Sequence, residues 1–194
     1  MIPLHTYYSF KYGTLSPEEV LETAIANDFD LVPITDINST AGTIDFVRMA
    51  YKKGVKPVAG IDFRNGARPL FVALAQNNEG FREINAYLSQ FLHSNEDIPA
   101  QAPPFKNATV IYPFEVVDHE ITLRANEFIG VHPRDFVRLS RSPLAKRKDK
   151  LVMWHPFTFN SKRHFNAHRL LRAIDNNCLL SKLPKSEEGH PEDR

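Results

Sequence analysis

Short apolar runs rich in β-branched and aromatic residues alternate with amphipathic segments along most of the chain. In such an order each strand is followed by a helix that can cover the sheet, which is the pattern of βα units around a parallel sheet. The predicted strands are Ile2–Tyr7, Leu31–Thr35, Lys56–Phe63, Leu70–Ala75, Thr109–Tyr112, Glu127–Val131 and Leu151–Trp154. Periodicity alone allows either a closed barrel or an open, doubly wound sheet.

The helical spacing of apolar residues predicts four helices. They begin after Ser16, at about Thr43, after Gly80 and at about His164. The first has the clearest start, because Ser16 and Glu19 have the spacing of a capping box. In the last helix, which should end near Asn176, we expect Leu170, Leu171 and Ile174 to form the buried stripe.

Composition narrows the class of protein. A chain of 194 residues with 42% hydrophobic content is long enough for one substantial core, so a single domain is expected. The lone Cys178 excludes a disulfide framework within the chain and any multi-cysteine zinc site. No run approaches the roughly 20 apolar residues of a membrane span, and we expect a soluble, cytoplasmic protein.

The charge is unevenly distributed, although the formal net charge is only +1. The segment from His132 to Arg172 contains eleven Lys or Arg residues and only two acidic residues. This asymmetry is compatible with an anionic partner and equally with solvated helix faces. As a possible basic interaction patch we single out Arg134, Arg138, Arg141, Lys162, Arg163, Arg169 and Arg172.

Four motifs carry a family resemblance. They are the run Pro3–Ser9, the step Ile34–Ile37, the strand Lys56–Phe63 and the segment Leu74–Phe81. In this order and spacing they resemble the PHP (polymerase and histidinol phosphatase) domain of the alpha subunit of bacterial DNA polymerase III, in a version with degenerate, error-prone-like metal motifs. The run Ala167–Ile174 looks like the helix that follows the family's last metal motif, so the resemblance spans residues 1–183.

The resemblance implies a distorted seven-stranded (β/α) TIM-like barrel. Active members of the family hold up to three metal ions with histidines and carboxylates and cleave phosphoester bonds, because such metals activate water and neutralise phosphate. Carried over by motif, His5, Asp36 and Asp62 are the remnant ligand positions. The lost ligand positions are Pro3, Ile37, Leu70, Pro156 and Thr158.

These replacements leave few groups that could bind a metal. We expect no cofactor, and a divalent metal such as Zn, Mn or Mg only if the remnant site still binds. His155 lies one residue from an expected ligand and is an alternative donor. We expect His5 to be a neutral histidine that is hydrogen-bonded to Asp36 or to the backbone.

Three functions remain open at this point. The first is a structural and interaction domain of a DNA polymerase III alpha subunit, replicative or error-prone, whose nucleotidyltransferase residues lie outside this chain. The second is a residual metal-dependent phosphoesterase or 3′–5′ proofreading exonuclease, and the third is a free-standing DNA- or partner-binding module. The expected partners are other domains of the polymerase chain and, through them, DNA and replisome subunits.

The polar, turn-rich residues 184–194 are predicted to be a linker or tail that leads towards polymerase domains. We expect them not to order themselves, because they can bury little apolar area.

Overall fold

Six strands form one sheet in the computed structural model, which describes residues 2–94, 96–118 and 120–193. Chain order and neighbour order coincide, and the strands are β1 (Leu31–Ile34), β2 (Lys56–Asn65), β3 (Arg68–Ala75), β4 (Ala108–Pro113), β5 (Glu127–Val131) and β6 (Leu151–Met153). The helices are α1 (Pro17–Ala26), α2 (Thr43–Lys52), α3 (Asn78–Ser94), α4 (Phe136–Ser140) and α5 (Lys162–Asp175). No helix among the described residues is long and apolar enough to cross a membrane.

Strand direction departs from the prediction at β3. The pairs β1–β2, β4–β5 and β5–β6 are parallel, whereas β3 runs antiparallel to both β2 and β4. Only Gly66 and Ala67 separate β2 from β3, and a two-residue loop can join antiparallel strands only. Gly66 has φ of 59°, as the first position of such a loop can require. The expectation of an all-parallel sheet was therefore wrong at this hairpin.

The predicted strand Ile2–Tyr7 is represented by isolated bridges. Ile2 pairs with His155 and Leu4 pairs with Phe157. On the other side, the Thr35 N–H donates to the Leu4 carbonyl over 3.2 Å, so the N-terminal segment lies between the end of β1 and the chain after β6. Pro3 has no N–H to donate, which limits a regular ladder here. The α/β class is confirmed, and a complete seven-stranded barrel stays a prediction.

Helices cover one face of the sheet and apolar side chains fill the other. On the first face α3 packs on β2, β3 and β4 around the stacked rings of Phe63 and Phe71. Residues of α1, α2 and β1 share a second cluster, and α2 also packs on β2. On the opposite face Val72, Ile111 and Trp154 form a separate buried cluster.

Helix α5 presents a different face to the core from the one predicted. Leu170 and Ile174 are 51% and 68% exposed, whereas His168, Arg172 and Ala173 are buried. The buried polar side chains have partners in neighbouring segments: His168 meets Tyr12, and Arg172 meets Glu187. Specific hydrogen bonds fix the orientation of this helix. Of the apolar stripe that we expected to be buried, Leu170 and Ile174 face outwards and Leu171 is half-buried.

The C-terminal segment (residues 184–193) packs on the domain, contrary to the expectation that it would not order itself. The carbonyl of Asp193 accepts hydrogen bonds from the N–H groups of Thr158 and Phe159, over 2.9 and 3.1 Å. The side chain of Arg169 donates to Glu188 over 2.7 Å. Its role as a linker towards other domains stays a prediction. Hydrogen bonds and ion pairs hold the C-terminal segment in place. The prediction considered only the apolar area that the segment can bury, so it did not include these interactions.

The β2–β3 hairpin allows a direct test. Gly66→Val should lower the free energy of unfolding by about 1–2 kcal/mol, because a β-branched residue is strained at positive φ while the space beside Gly66 is open. Gly66→Asn should cost less, since asparagine tolerates this conformation. Urea unfolding curves of both variants measure the difference, and equal losses would contradict the assigned turn.

Candidate functional site

His5 and Asp62 meet where the N-terminal segment passes the carboxyl end of β2. Both side chains are buried, and the Nε2 atom of His5 lies 2.9 Å from Oδ2 of Asp62. The other ring nitrogen, Nδ1, lies 2.9 Å from the Thr158 hydroxyl. Because a carboxylate only accepts, Nε2 carries a hydrogen and donates it to Asp62, and Nδ1 shares a hydrogen bond with the Thr158 hydroxyl. The expectation of Asp36 or the backbone as partner of His5 was wrong.

Arg64 is the residue of this site that the sequence analysis missed. Its Nη2 and Nε atoms donate to Oδ2 of Asp62 over 2.7 and 2.9 Å, and its side chain is only 8% exposed. The guanidinium carbon lies 4.8 Å from the centre of the Tyr12 ring, a cation–π arrangement. The available signal was its position two residues from Asp62 and one residue beyond the predicted strand Lys56–Phe63, because residues two apart on a strand lie on one face.

Two local features fix Arg64. The β2–β3 register shifts between Phe63 and Arg64, and such irregularities re-aim side chains at sheet edges. The side chain of Asn38 then holds the Arg64 backbone: Oδ1 accepts from the Arg64 N–H over 3.0 Å, and Nδ2 donates to its carbonyl over 2.8 Å. The loop after β1 thus positions a side chain of β2.

The ion pair dominates the electrostatics of the site. Burial alone would raise the pKa of Asp62, but the charge of Arg64 and the hydrogen bonds from Arg64 and His5 outweigh it and hold that pKa below its usual range. Burial likewise opposes the charge on Arg64, and Asp62 more than compensates, so the pKa of Arg64 is raised. Both partners therefore stay charged despite their burial.

Asp36 has a separate task. Its Oδ1 accepts from the Thr6 N–H and the Ser9 hydroxyl, both over 2.7 Å, and its Oδ2 accepts from the Thr6 hydroxyl over 2.8 Å. Burial raises the pKa of Asp36, and these hydrogen bonds oppose that effect. Both carboxylate oxygens are used to hold the loop of residues 6–9. Gly13 is needed beside this loop, because a Cβ there would lie 1.8 Å from the Thr6 carbonyl oxygen.

The residues present do not fit a metal ion of the kind that the resemblance implies. Both ring nitrogens of His5, one oxygen of Asp62 and both oxygens of Asp36 already have hydrogen-bond partners. A guanidinium lies against the Asp62 oxygen that faces His5. Within residues 2–94, 96–118 and 120–193, no group of three or more His, Cys, Asp or Glu side chains could hold a metal.

Four of the five predicted lost ligand positions lie at this end of the sheet, and Leu70 lies in the core. Pro3 and Pro156 line a cleft at this end of the sheet, and Leu70 is buried in the cluster beneath α3. Ile37 forms a backbone bridge to Asp62. Of these five residues, Thr158 forms a side-chain hydrogen bond to His5.

The cleft has a volume of about 750 Å³ and contains charges of both signs. Arg64 and Trp154 line its inner part, Arg134 and Arg138 line one side, and the C-terminal segment supplies Glu188 and Asp193. Cations and carboxylates are interleaved along it. The cleft is therefore not a uniformly basic phosphate track.

His132 is a second residue that the sequence analysis missed, although it directly follows predicted strand β5. It is buried, its Nδ1 accepts from the Arg134 N–H over 3.2 Å, and its Nε2 has no hydrogen-bond partner. Its ring stacks on that of His155 with centroids 5.8 Å apart. Burial, the first cause, and the charge of Arg134 lower the pKa of His132.

The predicted basic patch divides into internal and external members. Arg172 is buried and bound to Asp175 and Glu187, and Arg169 is bound to Glu188. Arg134 and Arg138 are exposed and have carboxylates nearby. The exposed remainder is Arg141, Lys162 and Arg163.

His168 links the C-terminal segment to the domain and makes it sensitive to pH. Its Nδ1–H donates to the Tyr12 carbonyl over 2.7 Å, and its Nε2 accepts from the Gly189 N–H over 2.8 Å, so only the neutral ring satisfies both partners. Burial, more than any other cause, lowers the pKa of His168 to about 4 from its usual 6.5.

The unfolded chain therefore takes up this proton at a higher pH than the folded chain does. Stability from His168 should be complete above pH 6.5 and should fall as the pH drops towards about 4, by about 2–3 kcal/mol in total. Unfolding curves of the wild type and of His168→Gln over this range measure the effect. A pH dependence that is identical in the two proteins would contradict it.

Comparisons with known proteins agree with the motif reading. The family model described as PHP domain matches residues 3–126. The DNA polymerase III subunit alpha of Buchnera aphidicola subsp. Acyrthosiphon pisum is 31% identical over 103 residues, which is 47% of this chain and 9% of that protein. The subunit of the same name from Ureaplasma parvum serovar 3 is 30% identical over 93 residues, or 48% of this chain and 10% of that protein. The chain thus spans about a tenth of the length of these relatives.

Two solved structures are also similar. A protein described as a metal-dependent phosphoesterase, from Bifidobacterium adolescentis, has a TM-score of 0.41 and 12% identity, covering 91% of this chain and 83% of its own. An amidohydrolase from Chromobacterium violaceum, solved with sulfate and no metal, has a TM-score of 0.36 and 23% identity, covering 47% of this chain and 31% of its own.

Proposed function

Since the chain belongs to the PHP domain family, we propose that it is the PHP domain of a DNA polymerase III alpha-type chain and that it serves as a structural and interaction domain. The polymerase activity would reside in parts of the longer protein that this chain does not include. The relatives support this placement, because both are alpha subunits about ten times as long as the matched region.

One observation supports the second half of the proposal: hydrogen bonds within the chain already occupy both ring nitrogens of His5, Oδ2 of Asp62 and both oxygens of Asp36. A hydrolytic metal centre needs lone pairs that are free to bind the ion and an open position for water. Here Asp62 is bound to Arg64, His5 to Asp62 and Thr158, and Asp36 to the loop of residues 6–9. The alternative, a residual phosphoesterase or exonuclease, requires these contacts to be broken.

The proposal predicts no metal-dependent hydrolysis by the purified chain. Hydrolysis of p-nitrophenyl phosphate and removal of nucleotides from DNA 3′ ends should stay at the background rate with added Zn²⁺, Mn²⁺ or Mg²⁺, because the hydrogen bonds of His5, Asp36 and Asp62 within the chain oppose binding of an ion that could activate water. Elemental analysis should find less than one metal ion per chain. The opposite result is hydrolysis that requires metal and is abolished by His5→Gln but kept in His93→Gln, a control in the last turn of α3.

The β5–β6 connection (residues 132–150) is the surface best suited to a partner. It contains seven Lys or Arg residues and two acidic ones. On α4, within this connection, Phe136 and Val137 are 49% and 64% exposed. Exposed apolar side chains ringed by cations resemble the centre and rim of a protein interface. We expect this connection to dock on an acidic surface of the longer polymerase chain.

The competing possibility is direct binding to DNA, and a titration separates the two. Fluorescently labelled single- and double-stranded DNA should bind the chain weakly at low salt and not measurably at moderate salt, because cations interleaved with apolar groups make a poor phosphate track. Tight binding that falls steeply with salt would contradict docking as the role of this surface. Loss of that binding in Arg141→Glu with Lys148→Glu, but not in Arg48→Glu on α2, would identify the connection as a DNA site.

A further inference from the structure

Arg64 stands where a cation is needed. The Asp62 carboxylate is almost completely buried, and a buried carboxylate without a compensating charge is costly enough to take up a proton or unfold its surroundings. Arg64 brings two N–H groups within 2.9 Å of one oxygen of that carboxylate, and His5 brings a third donor to the same oxygen. The other oxygen, Oδ1, is buried and has no hydrogen-bond partner.

The guanidinium group of Arg64 is in contact with neighbouring side chains on its face and at its edge. Tyr12 covers its face, with the ring centre 4.8 Å from the guanidinium carbon. His5 lies at its edge, with Nε2 3.5 Å from Nη2. The Asn38 side chain forms hydrogen bonds to both the N–H and the carbonyl of Arg64. The register shift at Phe63 and Arg64 sets the direction of the Arg64 side chain. Charge, aromatic face and hydrogen-bond acceptor together define a site for a planar cation.

We propose that the Arg64 guanidinium is a built-in substitute for a metal ion: it neutralises Asp62 beside His5, and its removal leaves a binding site for a small cation from solution. This inference rests on the proposed absence of a metal centre. The inference also states which group supplies the positive charge beside Asp62, and which class of ligand fits the position of that group when it is removed. The exogenous ligand class is a methylguanidinium-like planar cation, with Zn²⁺ as a second probe of the same position.

The test compares thermal unfolding of the wild type, Arg64→Ala and Arg68→Ala. Arg68 is the matched control, because it is an exposed arginine at the start of β3, across the same hairpin. Each protein is heated alone and with methylguanidinium, with its neutral analogue methylurea, or with Zn²⁺. Arg64→Ala should melt roughly 10 °C below the wild type, because it leaves a buried charge unpaired.

Methylguanidinium should raise the Tm of Arg64→Ala in a saturable manner, as expected for a ligand that binds only the folded state. Methylurea should not, because it has the shape without the charge. A rise with Zn²⁺ that is lost on adding His5→Gln would support the same position for the cation. If neither cation raises the Tm of Arg64→Ala more than that of Arg68→Ala, or if Arg64→Ala melts with the wild type, the proposal is overturned.

A double-mutant cycle keeps the proposal testable if Arg64→Ala does not fold. Arg64→Met retains the volume and removes the charge, and Asp62→Asn removes the charge that needs compensation. The double variant should melt at a higher temperature than Arg64→Met alone, because no lone buried charge remains. A double variant that loses the sum of the two single losses would show that Arg64 does not compensate Asp62. The cycle measures stability only, so its outcome tests the role of Arg64. Metal-dependent hydrolysis by the wild type is a separate result, and it would count against the proposed function.

Discussion

The ion pair between Asp62 and Arg64 is the interaction on which this end of the molecule depends. A carboxylate at the carboxyl end of a strand, with apolar clusters on both faces of the sheet, needs a positive charge within hydrogen-bonding distance. Arg64 supplies that charge from the same strand, two residues further on. The contacts of His5, Tyr12 and Asn38 are all arranged around this pair. A buried pair of this kind contributes little net stability, but breaking it is costly, so it favours one arrangement over its alternatives.

The contacts around the pair also explain why the C-terminal segment lies where it does. Tyr12, which covers Arg64, meets His168 of α5 edge-on, with ring centroids 4.5 Å apart. His168 in turn accepts from Gly189, and Arg172 binds Glu187. A chain of polar contacts thus runs from the strand end to the C-terminal segment. The same contacts turn α5 so that His168 and Arg172 face inwards and Leu170 and Ile174 face solvent.

The sequence predicts those parts of this structure that depend on periodicity and local signals. Strands β1 to β6 and helices α1, α2, α3 and α5 lie where the apolar patterns predict them, although α5 buries a different face. The capping box at Ser16 and Glu19 is formed. The motif order also identifies the family. The antiparallel direction of β3 could be predicted from Asn65-Gly66, a typical hairpin signal. The alternation of strands and helices along the rest of the chain favoured a parallel strand instead.

The remaining features depend on contacts between residues that are distant in sequence. Arg64 becomes part of the site only through the register shift and through Asn38, 26 residues earlier in the chain. The face of α5 that is buried depends on hydrogen bonds from His168 to the backbones of Tyr12 and Gly189. The apolar pattern within the helix contains no information about these contacts. Motif comparison predicts which positions have lost a metal ligand, but it does not reveal which group carries the positive charge beside Asp62. That group becomes visible only from the packing.

The central claim is that a guanidinium, and not a metal ion, accompanies His5 and Asp62. Manganese titration of the ¹⁵N-histidine-labelled chain tests it most directly, because bound Mn²⁺ broadens the signals of nearby nuclei. The His5 ring signals, assigned by their absence in His5→Gln, should stay sharp at one equivalent of Mn²⁺. Selective broadening of the His5 signals at that ratio would show that a metal reaches the site, and it would contradict the account.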